Sequence, residues 1–393
     1  MDIPYRYTEN TSSFAYYWQH GTGVNLLDRL AKKPDLVKSK EFIPLFYEWD
    51  RIGDQLILDV FLKDGFRKAD EALKSFIANP TSYNVRHKFF STFFDTLDLK
   101  PDWLDWERLA IGQEFCQRPG LTSMIVLRDY CLMGGYESAA INKPLIYTGA
   151  LSKGAVKRLV DTVEFWVQVT KPGNLSWGKA GFVELIRTRL IHSYARVNIL
   201  DKTDWDSKRW GLPINIWDML ATNLGFSLVF LVGLRLMGIR PSKQEIDGLF
   251  HFWKYIGYIL GIPVHLLPNS EEEAIEALYY WTMTQRAGDD DSKKLAKALQ
   301  EQPVLAKYPK SGLMRQMMRE IHLFYNHYLL GGYSCELLGL EKTTIGRFAI
   351  THIWKTKRQE NQIHNDDDRI RAIQKGAAEQ EHVRHIYETY NTR

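Results

Sequence analysis

Residues 181–200 read GFVELIRTRLIHSYARVNIL, and the period of that stretch decides the fold. Arg189, His192 and Arg196 stand at i, i+3 and i+7, which puts all three on one face of an α-helix. Leu185 and Ile199 extend that face, so the charged trio lies on an apolar stripe that points inward. The same spacing of three and four recurs over 50–62, 68–77 and 83–97, while the two-residue alternation of strands is almost absent. Turn signals at Asn79-Pro80, Lys100-Pro101, Pro119-Gly120, Gly134-Gly135, Arg240-Pro241 and Leu267-Pro268 cut the chain into roughly a dozen helices. The sequence predicts an all-α protein.

Composition fits a packed core. Of 393 residues, 45% are hydrophobic and 25% charged, and the 13% that are aromatic suit a deep core or an apolar ligand cavity. No repeat and no Gly-, Ser- or Pro-rich linker divides the middle. The reading is one helical domain over 36–355, preceded by a partly irregular arm, 1–35. After it comes a charged C-terminal tail or helix, 356–393, lying on the surface or partly disordered. Ser270 is placed to cap a helix that runs to 287 behind an acidic first turn, whereas the aspartate run in 288–294 reads as an exposed loop. The apolar stretch 224–237 is shorter than a bilayer span and is broken by Arg235, so a buried helix is expected and no transmembrane anchor.

Several function classes are excluded. A net charge of +4 is small, and the basic residues are scattered, against nucleic-acid binding. Cys116, Cys131 and Cys335 are far apart and odd in number, without the spacing of a disulfide framework or zinc site. The first twenty residues lack the pattern of a secretory leader, and a reducing cytoplasm is the expected compartment. The sequence has no phosphate-binding glycine loop, dinucleotide fingerprint, HExxH helix or nucleophile elbow. His251, His265, His322 and His327 read as packed or solvent-facing residues.

The trio on the inward face carries the chemistry. Buried cations require partners, here internal acids such as Asp218 or Glu184, or the carboxylates of a cofactor. A histidine between arginines is a poor general base because its neighbours lower its pKa, but its neutral imidazole is a good iron ligand. The plain alternative is a hydrogen-bonded core histidine.

RLIHSYAR at 189–196, Trp205 with WGLPIN at 210–215, and DMLATNLGFS at 218–227 together resemble the rubber oxygenase catalytic domain family. The resemblance runs roughly over 52–267 and is most specific over 187–226. It implies a globin-like helical core holding haem b, with His192 as proximal iron ligand and Arg189 and Arg196 available to the propionates. Upstream, Thr148-Gly149 opens a helix in which Arg158, Asp161, Thr162 and Phe165 share a face. Arg158 and Thr162 match the family's distal R-x-x-K-T pattern, which makes Arg158, Asp161 and Thr162 the candidate catalytic residues. Asp161 departs from that pattern, putting a carboxylate where a lysine can sit over the iron; the plain alternative is a surface Arg–Asp pair. Glu137, in GGYESAAINKPL, lies near where the family has a catalytic glutamate, and an exposed or capping role is the alternative. The implied activity is haem-dependent oxygenation of a small apolar substrate with dioxygen or peroxide, with a separate electron donor as a further partner. The competing readings are a haem or ligand carrier without turnover and a helical scaffold without cofactor.

Overall fold

At the centre lies the most apolar stretch of the chain. In the computed structural model, which describes residues 3–9, 12, 14–80, 87–149 and 154–391, Ile216–Leu236 is one continuous helical run. Asn215 starts it by accepting the backbone N–H of Asp218 at 3.0 Å, and the chain leaves it through Gly238 at φ 96°. By length and composition this run would cross a bilayer, yet Trp217, Leu220, Leu224, Leu228, Phe230, Leu231 and Leu234 are all buried inside the protein. It is the core helix that its interrupted apolarity predicted. A π turn at Gly225–Val229 interrupts it, and similar turns occur at Ile57–Phe61 and Leu127–Leu132.

All regular elements among the described residues are helices, with isolated bridges at Tyr7–Gln285, Ser12–Arg286 and Ser138–Ala287. Trp106–Gln117, capped by Asp105, crosses Lys243–Ile259, opened by a Ser242/Glu245 capping box. The crossing is backbone on backbone: a Cβ added to Gly112 would stand 2.1 Å from the carbonyl oxygen of Gly248. Trp166, Phe226 and Trp253 then stack through the middle, with Phe226 and Trp253 5.0 Å apart between ring centres. Ala155–Thr170 and Ala180–Lys202 pack side by side, joined by the short turn at 171–179. The second of these is the predicted inward-facing helix.

Three segments differ from expectation. Residues 288–294 are not wholly loop, because Asp289 caps the helix Asp290–Leu305 and its carboxylate, with that of Asp291, holds Lys143 at 2.5 and 2.6 Å. The helix behind Ser270 ends at Met283, short of 287. The charged C-terminal stretch, expected as a surface tail or helix, is the helix Asp366–Asn391; most of it stays at the surface, and it docks through a few inward residues. Gln380, 1% exposed, accepts from the indole of Trp166 and donates to the carbonyl of Cys116, both at 2.9 Å. The helix predicted over 83–97 is seen as His87–Asp95, its first residues lying outside the described ones.

The glycine crossing gives a direct test. Replacing Gly112 with Ala pushes a methyl into the facing backbone and should cost about 1–3 kcal/mol, read as a lower urea midpoint at unchanged slope. An unaltered midpoint would mean that the helices do not approach this closely.

Candidate functional site around His192

The two arginines that flank His192 find their partners on the helix that opens at Asp50. Arg189 contacts Asp50 through two hydrogen bonds, Nε to Oδ2 at 2.6 Å and Nη2 to Oδ1 at 2.8 Å. Arg196 does the same with Asp54, Nη2 to Oδ1 at 2.7 Å with Nε at 3.1 Å. Arginines seven apart on one helix meet acids four apart on another, so the two pairs clamp those helices together. The remaining donors are used as well: Arg189 Nη1 reaches the carbonyl of Ile259 at 3.1 Å, and Arg196 Nη1 that of Ile214 at 2.8 Å. Asp218 and Glu184, the acids first considered, belong to Arg6 and Arg187 instead. Both guanidiniums face the chain's own acids, not an outside carboxylate, because acids of the chain reach them and a buried cation must be compensated. Burial pushes the Asp50 carboxyl up, but hydrogen bonds and charge from Arg189 more than offset this and hold it below the usual range.

His192 stands between these pairs on the wall of a small cleft of about 10 Å³, which Asp50, Arg189 and Arg196 line together with Ile214, Ile216, Met219 and Leu260. Its Nδ1 is sealed from solvent and meets no hydrogen-bond partner among the described residues. Burial first, then the charge of Arg196, pushes its pKa down from 6.5 to about 4, against a smaller upward pull from Asp50. At neutral pH the ring is therefore an uncharged donor of a lone pair. Across the cleft, Ile214 has φ 53°, the left-handed region that a β-branched residue rarely enters. Its carbonyl is pinned by Arg196, so the same guanidinium that neutralises Asp54 also holds this strained turn.

The other predicted residues lie apart from this cleft. Arg158 donates to the hydroxyl of Tyr136 at 2.8 Å, and the Thr162 hydroxyl donates to the carbonyl of Arg158 at 2.8 Å. Asp161 is 63% exposed and faces Lys157, one turn back on its own helix, at 3.2 Å. The helix holding them begins at Ala155, later than Thr148-Gly149, and 150–153 lie outside the described residues. Phe165 is buried while Asp161 is exposed, so the shared face divides between core and solvent.

Glu137 is neither exposed nor a helix cap. It is buried near Tyr17, Tyr130 and Cys335, and burial raises its pKa to about 7 despite a hydrogen bond with Ser334. His251 accepts the N–H of Asp105 at 3.0 Å, and His322 meets Asp129 at 2.6 Å. Among the described residues, no three histidines, cysteines or acids are grouped to hold a metal ion.

Sequence reasoning missed Asp50, Asp54 and Ile214. The two acids sat in a recognised helix at a four-residue spacing that matches the arginine face, which was the available signal. Ile214 had none, since its backbone angle comes from its neighbours.

Replacing Asp54 with Asn leaves Arg196 buried without a compensating charge and should cost about 3–5 kcal/mol. Chemical denaturation measures this; a loss below about 1 kcal/mol, the worth of a surface pair, would mean that water reaches the guanidinium. Glu137 gives a pH signature. Its folded pKa, about 7, lies above the ordinary 4.5, so between those values the folded chain holds a proton that the unfolded chain has lost. Stability from this group thus falls as pH rises through that window and levels off above it. Glu137→Gln should flatten the decline, raising the melting temperature at pH 8 relative to the parent while changing it little at pH 5. Parallel curves for the two proteins would rule this out.

Comparison with known proteins agrees with the architecture. The family described as ER-bound oxygenase mpaB/B'/Rubber oxygenase, catalytic domain, matches residues 121–356, more than half of the chain. A solved structure titled "Structure of Latex Clearing Protein LCP in the closed state" superposes with a TM-score of 0.58 at 16% identity, covering 85% of this chain and 91% of that one. At that identity the likeness is one of fold. No curated protein matches the chain in sequence. The chain therefore belongs to the mpaB/B' and rubber oxygenase family, whose members are oxygenase enzymes, and it has that family's all-helical fold.

Proposed function

We propose that this protein is a haem b-dependent oxygenase for a small apolar substrate, with His192 as the axial iron ligand. The observation that carries the reading is an uncharged, half-buried imidazole whose sealed Nδ1 has no hydrogen-bond partner among the described residues, on the wall of a small cleft that Ile214, Ile216, Met219 and Leu260 line beside the two arginine–aspartate pairs. A base that stays unprotonated down to about pH 4 keeps its lone pair for a metal at any physiological pH. When bound, the haem supplies the activation of dioxygen or peroxide.

The residues present fit the group on one side. His192 offers a ligand atom, and Ile214, Met219 and Leu260 offer apolar contact to a macrocycle or substrate. Pockets that enclose drug-sized ligands measure about 300–1,000 Å³, so these side chains must part widely to admit a macrocycle into a cleft of about 10 Å³. Arg189 and Arg196 act as positioning residues here, holding the helix in place through Asp50 and Asp54, and the charge of Arg196 adds to burial in keeping the ring neutral. Arg158, Asp161 and Thr162 are outside the proposal, since Arg158 turns to Tyr136 and Asp161 to Lys157.

The test is the visible spectrum of the purified protein, ferric and dithionite-reduced, with a pyridine haemochrome assay. The expected result is a Soret band with near-stoichiometric haem b, and loss of most of that haem in His192→Ala. A colourless protein after haem reconstitution, or a spectrum unmoved by His192→Ala, overturns the assignment. Stoichiometric haem without oxygen uptake across a panel of apolar substrates would make the protein a carrier.

A further inference from the structure

We propose that the surface formed by the start of the helix Gly312–Leu337 and by residues 345–354 docks this protein onto an anionic lipid membrane. On that helix Leu313, Met314 and Met317 follow one another at helical spacing and turn outward, with Leu313 74% and Met314 56% exposed. Large apolar side chains grouped on a surface mark a site of interaction when they form a continuous patch. Continuity comes from the short helix Ile345–Ala349, which lies against the same face. A Cβ added to its Gly346 would stand 2.1 Å from the carbonyl oxygen of Glu320 and 3.1 Å from Cβ of Phe324, one and two turns beyond Met317. Ile345 and Phe348 flank that contact and are exposed, and Trp354 continues the outer side of the following helix at 62% exposure.

Charge identifies the occupant. No Asp or Glu occurs in 302–319 or in 342–359, the two segments that supply the patch, whereas they hold nine Lys and Arg residues. Among the described residues Lys310, Lys342 and Arg347 make no ion pair, and Arg315 meets no carboxylate, donating instead to the carbonyls of Pro309 and Lys310. A basic rim around exposed Leu, Met, Phe and Trp suits a lipid interface: apolar groups enter the acyl boundary, an indole sits at headgroup level, and cations meet anionic headgroups. The acids nearby, Glu301, Glu320 and Glu341, are turned back onto Arg319, with Lys297 also on Glu301 and Glu341, which offsets most of their charge. The surface lies on the membrane and does not span it.

The experiment is co-sedimentation of the full-length protein with phosphatidylcholine vesicles, with and without phosphatidylserine. Expected is binding that needs phosphatidylserine, weakens as salt is raised, and is abolished in Met314→Glu/Met317→Glu. Lys310→Glu and Arg347→Glu should each lower the partition coefficient by at least roughly fivefold, the equivalent of one lost cation at a charged surface. These positions are exposed, so circular dichroism and melting should match the parent. The proposal is overturned if vesicles do not sediment the protein, or if binding survives both sets of changes. It also falls if sedimentation velocity shows a dimer that Met314→Glu/Met317→Glu dissolves, since a second copy would then cover the face.

Discussion

Two buried guanidinium–carboxylate contacts, Arg189 with Asp50 and Arg196 with Asp54, set the terms for everything around them. A buried cation is tolerated only when a carboxylate and further acceptors meet it, and here each arginine satisfies that condition by reaching a different element. One draws in the end of the helix Lys243–Ile259 through the carbonyl of Ile259, the other the turn at Ile214. Three parts of the chain are thereby fixed to one helix. His192, between the two contacts, inherits its position from them, and owes its lack of charge first to burial and then to the fixed charge of Arg196.

The same logic secures the two ends of the described chain. Arg6, 1% exposed, reaches Asp218 and Gln285, and Trp18 donates to the hydroxyl of Thr282 at 2.8 Å, so the N-terminal arm closes over the core helix. On the opposite side Gln380 serves three carbonyls between Cys116 and Gly120. Both segments are polar in sequence, yet each contributes one deeply buried polar side chain whose partners lie more than two hundred residues away.

What could be read from sequence follows from range. The period of 181–200, the cap at Ser270 and the interrupted apolarity of 224–237 are local facts, and local facts fix helices. Partners are not local: Asp50 is 139 residues from Arg189, and no spacing rule joins them. A charged face such as 366–391 looks like a solvated tail until it is known that Gln380 and Gly376 point at another helix, where a Cβ on Gly376 would stand 2.2 Å from the carbonyl oxygen of Gln117. The R-x-x-D-T face failed for a related reason. Helical spacing groups Arg158, Asp161 and Thr162, but a face is wide enough for its margin to reach solvent, and Asp161 lies on that margin.

One further consequence follows from the unbonded Nδ1 of His192. Which nitrogen of an imidazole carries the proton is decided by the hydrogen bond that the other makes, and among the described residues Nδ1 meets no acceptor to decide it. The backbone determines where the ring stands but not its tautomer. That choice passes to whatever enters the cleft, so the ring's donor strength is set on arrival and not by folding.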